Sequence, residues 1–319
     1  MSSSDSFSEG PSLSERMEPA PATFEQCIRQ AQSAVGLAMA DGYNLLEVEF
    51  PPLSADFLED AGSSAYDVSS ANVRLAGRFA RSFAADGKNV AVMLPDEAEL
   101  ERAVDDEGGE VMSPGVMLKC LRASGSRTAG TFDQLLLGVI GRNKGAVQPV
   151  DGVDMYVCIG ASCQELPDVE ELHNAAPGAT IIFFNLKLDT LRGDLGLPAF
   201  PPKDLHYRFL SKVKPAYLLR TRAYSRSLSK PPFLVNYQGA QFRVYPGGYQ
   251  CLLDTGKRYK MVVCDKDRQS LGDFKDVITK ALRLDEDEGG AMSFFRKGFK
   301  TKTWWEERND LEQFDNWRT

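Results

Sequence analysis

Two apolar runs, Val153 to Gly160 and Thr180 to Asn185, bracket a short amphipathic segment around Asp168 to Asn174 and a Pro177-Gly178 turn. A strand, a helix and a strand at this spacing form a βαβ unit, because strands that run the same way need a crossover of a dozen or more residues. Such a unit commits the chain to parallel pairing with a right-handed crossover. Asn89 to Leu94 is a third run, almost continuously apolar, as expected of a strand covered on both faces. The fold class that follows is α/β: a three-layer, Rossmann-like, mainly parallel sheet.

The flanking segments fit that frame. Thr23 opens a helix with Gln26 at capping-box spacing, and Phe24, Cys27, Ile28, Ala31, Val35, Ala38 and Met39 recur on one face until Asp41-Gly42. Leu45 to Phe50 reads as a strand stopped by Pro51-Pro52. A second helix is expected from about Asp67 to Ala85, burying Val68, Leu75, Phe79 and Phe83. Pro95-Asp96 begins a short acidic helix, and Asp105 to Gly115 reads as an acidic, Gly-rich surface loop. Residues 216–264 hold strand-like runs separated by Pro231-Pro232, Pro246-Gly247-Gly248 and Asp254-Thr255-Gly256, the pattern of an antiparallel β extension. A last helix starts at Ser270 with Asp273 as capping acid and is expected to bury Leu271, Phe274, Val277, Ile278 and Leu282. The organisation is then a disordered leader over residues 1–22, rich in Ser, Pro and Glu, one integrated α/β domain over 23–283, and a tail over 284–319.

Composition narrows the function. No apolar run reaches the roughly 20 residues of a membrane-spanning helix. The net charge of -8 disfavours nucleic-acid binding. The six cysteines form no C-x-x-C pair and the two histidines, His173 and His206, lack metal-ligand spacing, so no metal site is expected. Cys158, Cys251 and Cys264 read as buried strand residues, and a thiol switch between Cys158 and Cys163 has no support. No phosphate loop, nucleophile elbow or H-E-x-x-H motif occurs. The run Gly138 to Gly145 is glycine-rich without the strand-then-helix setting of a phosphate cradle. No catalytic residue and no cofactor is assigned, and ATP or NAD is expected to bind no better than millimolar.

Candidate contact residues come from three places. The carboxyl ends of the strands offer Pro95 and Asp96, Gly160-Ala161-Ser162, and Asn185, where open α/β sheets hold ligands; Asp96 and Ser162 read more simply as helix caps. Between Lys203 and Lys230 stand eight cations and one acid, and strand alternation puts Arg220, Arg222, Tyr224 and Arg226 on one face. That face is either solvated or a docking surface for acidic protein or lipid headgroups. Arg192 and Asp194 are expected to pair across a turn. The tail carries Phe294, Phe295, Arg296, Lys297, Lys300, Trp304 and Trp305 after the acidic run Asp285 to Glu288. It is expected to serve recognition, with folding back onto the core as the alternative.

Several stretches resemble a plastid and cyanobacterial domain of unknown function. They are Pro21 to Gln26, Leu46 to Pro51, Tyr66 to Ser69, Asn72 to Phe83, Val90 to Asp96, Asn185 to Pro198 and Pro232 to Tyr237. With the Trp304-Trp305 tail, the pattern is similar to the Low PSII Accumulation assembly factors of chloroplasts. The resemblance implies a stromal, thylakoid-associated, non-enzymatic protein. Its expected partners are photosystem II assembly intermediates around the core antenna subunit, other assembly factors, and thylakoid lipids by peripheral contact. The family has no established catalytic residues to carry over. Its occurrence fused to chloroplast adenylate kinases keeps a nucleotide- or metabolite-binding enzyme or stromal regulatory protein as the alternative.

Overall fold

The computed structural model describes residues 17–52, 64–123, 146–147, 149–228, 230–284 and 302–319. Helix α1 (Phe24–Ala40) starts where the Thr23 hydroxyl accepts from the Gln26 N–H, and Gln26 in turn accepts from the Ala22 N–H. Strand β1 (Leu45–Glu49) follows, then α2 (Ala65–Ala85), which Ser64 and Asp67 close with a reciprocal capping box. Next come β2 (Val90–Leu94), α3 (Glu97–Glu107), β3 (Val111–Ser113), β4 (Val116–Cys120), β5 (Arg122–Ala123) and β6 (Ala146–Val147). The anticipated βαβ unit is β7 (Met155–Cys158), α4 (Leu166–Ala175) and β8 (Thr180–Phe184), with β7 and β8 paired in parallel. Helices α5 (Leu188–Asp194) and α6 (Asp204–Arg208) lead to the long strands β9 (Lys214–Ser227) and β10 (Leu234–Val244). Strands β11 (Tyr249–Asp254) and β12 (Tyr259–Asp265) and helix α7 (Leu271–Ala281) complete the body.

Ten strands form one sheet in the order β12-β11-β10-β9-β1-β8-β7-β2-β4-β3. The run from β9 to β4 is parallel, and β10, β11, β12 and β3 are antiparallel additions. Alternation along each strand sends side chains to two cores. Leu46, Val48, Val92, Val157 and Phe184 pack under α1, α2 and α3, while Leu45, Met93, Tyr156 and Phe183 pack under α4, α5 and α6. Helix α7 covers the antiparallel extension through Phe274 and Ile278. The α/β, open, mostly parallel architecture is the one the apolar runs implied.

Local departures have local causes. The expected loop over Asp105 to Gly115 holds the end of α3 and strand β3, and β4 pairs with β2 beside it. Val68 is 46% exposed, because the first turn of α2 overhangs a cleft rather than the core. Of the apolar side chains expected to be buried in α7, only Phe274 and Ile278 are; Leu271, Val277 and Leu282 are half-buried at its margins, and so is Cys264 on β12. Residues 17–22 belong to the fold rather than to the leader: Gln250 and Gln30 side chains donate to the Glu18 and Pro19 carbonyls at 2.9 Å each. No helix among the described residues is long and apolar enough to cross a membrane.

The end of the chain is the main correction. Residues 302–319 pack onto α5, α6 and the loop before α7. Trp305 and Trp317 are buried with ring centroids 5.6 Å apart, and the Arg192 guanidinium lies 4.9 Å from the Trp317 ring. Trp304 sits edge-on to His206 and under Lys203. The Gln313 N–H donates to the Tyr207 carbonyl and the Arg268 N–H to the Arg318 carbonyl. Two indoles in water are costly, and folding back removes that cost. Phe294, Phe295, Arg296, Lys297 and Lys300 lie outside the described residues. Trp317→Ala should cost roughly 3–5 kcal/mol and lower the melting midpoint by roughly 5–10 °C, as read by calorimetric or circular-dichroism melts.

The same seam sets a pH response. Burial pulls the buried His206 down to about 4, although its hydrogen bond to Glu312 at 2.7 Å acts the other way. Burial raises the Glu312 carboxyl, but His206 and Arg318 outweigh it and keep it ionised. An unfolded histidine takes its proton near pH 6.5. The folded one resists until about pH 4, so stability fully present above pH 6.5 is lost as pH falls through that window. The loss reaches about 3 kcal/mol. Melts at pH 7 and pH 5 should diverge in the native chain and converge in His206→Gln.

Candidate functional site

Strand β1 places two carboxylates, Glu47 and Glu49, on the sheet face that α4 to α6 cover, and both are buried. Their partners come from distant sequence. Arg220 on β9 donates through Nε to Glu49 Oε1 at 2.7 Å, and its Nη atoms reach Glu49 and Asp189. Arg268, before α7, meets Glu47 at 3.2 Å and Asp189 at 3.0 Å. Arg192, wholly buried, meets Asp189 at 3.0 Å. Arg192 therefore pairs with the residue three before it in α5 and not with Asp194. Burial raises the Glu47 carboxyl, yet Arg268, Arg192 and Arg220 together hold it below the ordinary carboxylate range.

The arginine face of β9 does share one side, as alternation requires, but its members meet different surroundings. Arg220 is a member of the buried network. Arg222 is mostly buried, 5.8 Å from the Phe274 ring, and burial pulls its pKa down to about 10. Tyr224 stacks on Tyr237 at 5.5 Å. Arg226 is half-buried near the far end of the β9–β10 hairpin. The opposite residues, Thr221, Ala223 and Ser225, are the exposed ones. Much of the wider basic stretch is also engaged internally. Arg208 pairs with Glu170 at 2.7 Å, and the Lys214 ammonium, pulled down to about 8 by burial, donates to Thr319 Oγ1 at 3.1 Å.

Beyond the carboxyl ends of β1, β2, β7 and β8, and beside the middle of β9, lies a cleft of about 970 Å³. This is where an open α/β sheet is built to hold a ligand, because the loops leaving neighbouring strands part toward opposite faces. Phe50, Leu94, Ile159 and Leu219 form apolar walls, Thr303 and Trp305 close one side, and Arg220, Arg222 and Lys187 stand on the β8–β9 side. Asn185 and Lys187 hold left-handed backbone, at φ of 55° and 52°. Non-glycine residues in that region concentrate at sites that need a fixed geometry. The Asn185 amide accepts from the Phe50 N–H at 2.7 Å and donates to Asn72 Oδ1 at 2.9 Å, so it braces the rim rather than facing a ligand. Asp96 caps α3 by accepting from the Glu99 N–H at 3.0 Å. Ser162 bonds Glu165 just ahead of α4, and the N-cap position itself is Glu165.

Sequence reasoning named Pro95, Asp96, Gly160 and Asn185 at this rim; it missed Glu49 and Asp189, and it gave Arg192, beside the rim, the wrong partner. The signal available was the pairing of two acids at period two in β1 with arginines at period two in β9. Cys158 and Cys163 are both buried, with thiols pushed up to about 12 and about 11, which removes thiolate chemistry at neutral pH. No group of three His, Cys, Asp or Glu residues among the described residues is placed to hold a metal. The glycine-rich run Gly138 to Gly145 lies outside the described residues.

Removing one partner of a buried pair strands the other charges. Arg220→Leu should therefore cost roughly 3–5 kcal/mol, while Arg226→Leu should stay within about 1 kcal/mol. Denaturant midpoints of the two variants measure the difference, and equal midpoints would show that Arg220 is as dispensable as a surface cation.

No curated protein and no solved structure matches the chain. Residues 21–276 match the family model described as a domain of unknown function, DUF1995. That span takes in the whole sheet, most of α7 and every strand end of the cleft, and the chain belongs to that family.

Proposed function

We propose that this protein is a non-enzymatic chloroplast factor that assists photosystem II assembly, around the core antenna subunit, by transient contacts on the stromal face of the thylakoid. The resemblance of its long ordered motifs to the Low PSII Accumulation factors supports the reading, and so does the form of the β9–β10 hairpin. The hairpin runs past the parallel sheet and ends in Phe233 and Leu234, which are 60% and 54% exposed, with Arg226 close behind across the pairing register. Apolar side chains beside a cation at the tip of a rigid ribbon suit a small, reversible protein interface. Glu49, Asp189 and Arg220, which line the cleft, are engaged with one another and with Arg268, which is structural rather than catalytic chemistry. Thylakoid lipid contact is secondary in this reading.

Affinity capture from solubilised thylakoids tests it. The native chain should retain core antenna and other photosystem II assembly subunits, and Phe233→Ser with Leu234→Ser should lose them while melting normally. Retention of soluble stromal enzymes without photosystem subunits would overturn the reading in favour of a metabolic or regulatory role.

A further inference from the structure

Acids line the cleft as well as cations, but Asp96 caps α3, Glu165 accepts from Ser162 and Glu99 meets Arg102 at 3.1 Å, so these three are engaged at helix ends. Glu47, Glu49 and Asp189 are three carboxylates, and Arg192, Arg220 and Arg268 are the three cations that meet them. Arg222 is a fourth arginine on the same sheet face, two residues along β9, and it lines the cleft. Among the described residues no carboxylate lies within ion-pair distance of it, and its Nε finds no hydrogen-bond partner. Its neighbours Arg220 and Arg268 repel it, while Tyr224 and Glu306, neither at ion-pair distance, act the other way. A guanidinium withdrawn from water and set beside two others is stabilised by an added anion.

The rest of the cleft defines that anion. The strand exits are poor in backbone donors, since Pro51 and Pro52 follow β1 and Pro95 follows β2, and proline has no N–H. A polyphosphate needs a cradle of such donors. The lining is instead largely apolar: Phe50, Leu94, Ile159 and Leu219 form a floor almost wholly covered by the protein around them, and Val68, 46% exposed, stands at the rim. A volume of about 970 Å³ holds a molecule well beyond the size of a simple ion. The planar fork of an arginine matches a carboxylate with two parallel hydrogen bonds.

We propose that the cleft is a binding site for a small organic carboxylate with an apolar body, its carboxylate held by Arg222 and its body lying against the walls at the ends of β1, β2 and β7. Lys187, on the same side and with no carboxylate at ion-pair distance among the described residues, adds positive potential at the mouth. Ligand binding here is independent of the assembly reading, because the hairpin tip and the cleft occupy opposite ends of the exposed reach of β9.

Calorimetry on the full chain provides the test, with decanoate, 4-phenylbutyrate, inorganic phosphate and ATP as probes. At least one of the two carboxylates should bind in the micromolar range, with phosphate and ATP no better than millimolar. Arg222→Gln should weaken the carboxylate by roughly tenfold or more. Thr190→Trp, a substitution at an exposed cleft position whose side chain makes none of the network's ion pairs, should block the cavity and abolish binding while the protein still melts cooperatively. It carries the test if Arg222→Gln fails to fold. Failure of both carboxylates to bind better than millimolar, tighter binding of ATP than of either, or binding that survives Thr190→Trp would overturn the proposal.

Discussion

Two glutamates in the middle of a parallel sheet are the constraint on which the rest of this structure depends. Glu47 and Glu49 lie on a central strand that is covered on both faces, where an ionised carboxylate without partners is prohibitively costly. They are held by arginines drawn from β9 and from the loop before α7, with Asp189 of α5 bridging. Segments up to 221 residues apart are thereby fixed to one another. Such pairs contribute little net stability compared with apolar packing, but they penalise every arrangement that leaves a member alone. The network therefore acts mainly to specify which elements meet on this face.

The C-terminal segment completes that enclosure. Arg192 is buried between Asp189 and the Trp317 ring, and Arg318 reaches the carbonyls of Trp305 and Glu306 and the Glu312 carboxylate. Without Trp305 and Trp317 the charged face would lie open to water, and the ion pairs would weaken toward the small values of surface pairs. The aromatic residues are thus the lid of an electrostatic site. Their pairing with arginine uses the ring faces that a purely apolar core would leave unused.

Legibility in the sequence followed the range of the interaction. The β7–α4–β8 unit, the Thr23 and Ser270 caps and the antiparallel extension rest on patterns within a few residues, and they stood where the patterns put them. Strands β3 and β4 did not announce themselves, because Val111 to Cys120 mixes Lys, Ser, Pro and Gly with apolar residues and takes its strand character from pairing with β2. Leu46-Glu47-Val48-Glu49 alternates like a strand with one wet face; only distant arginines make that face interior. The tail misled for the same reason. Its composition suits an external partner or an internal one equally, and the internal partner, Arg192, sits more than a hundred residues upstream in a segment with no binding motif. The strand-end position of the cleft was legible from topology, while the side chains that give it character were not.

Strand β9 joins these features in order. Its first half is buried and completes the parallel sheet beside β1; Arg220 then closes the ion network, Arg222 turns to the cleft, and Arg226 accompanies the hairpin toward Phe233. The period of two that places all three arginines on one face also spaces them through three environments as the strand leaves the body. Because β9 pairs with β10 along its outer reach, the hairpin is held at the angle the sheet imposes rather than by its own turn. The hairpin tip and Arg222 thus rest on the same element, anchored at its base by Glu49, and the position of each is set by the buried charges below.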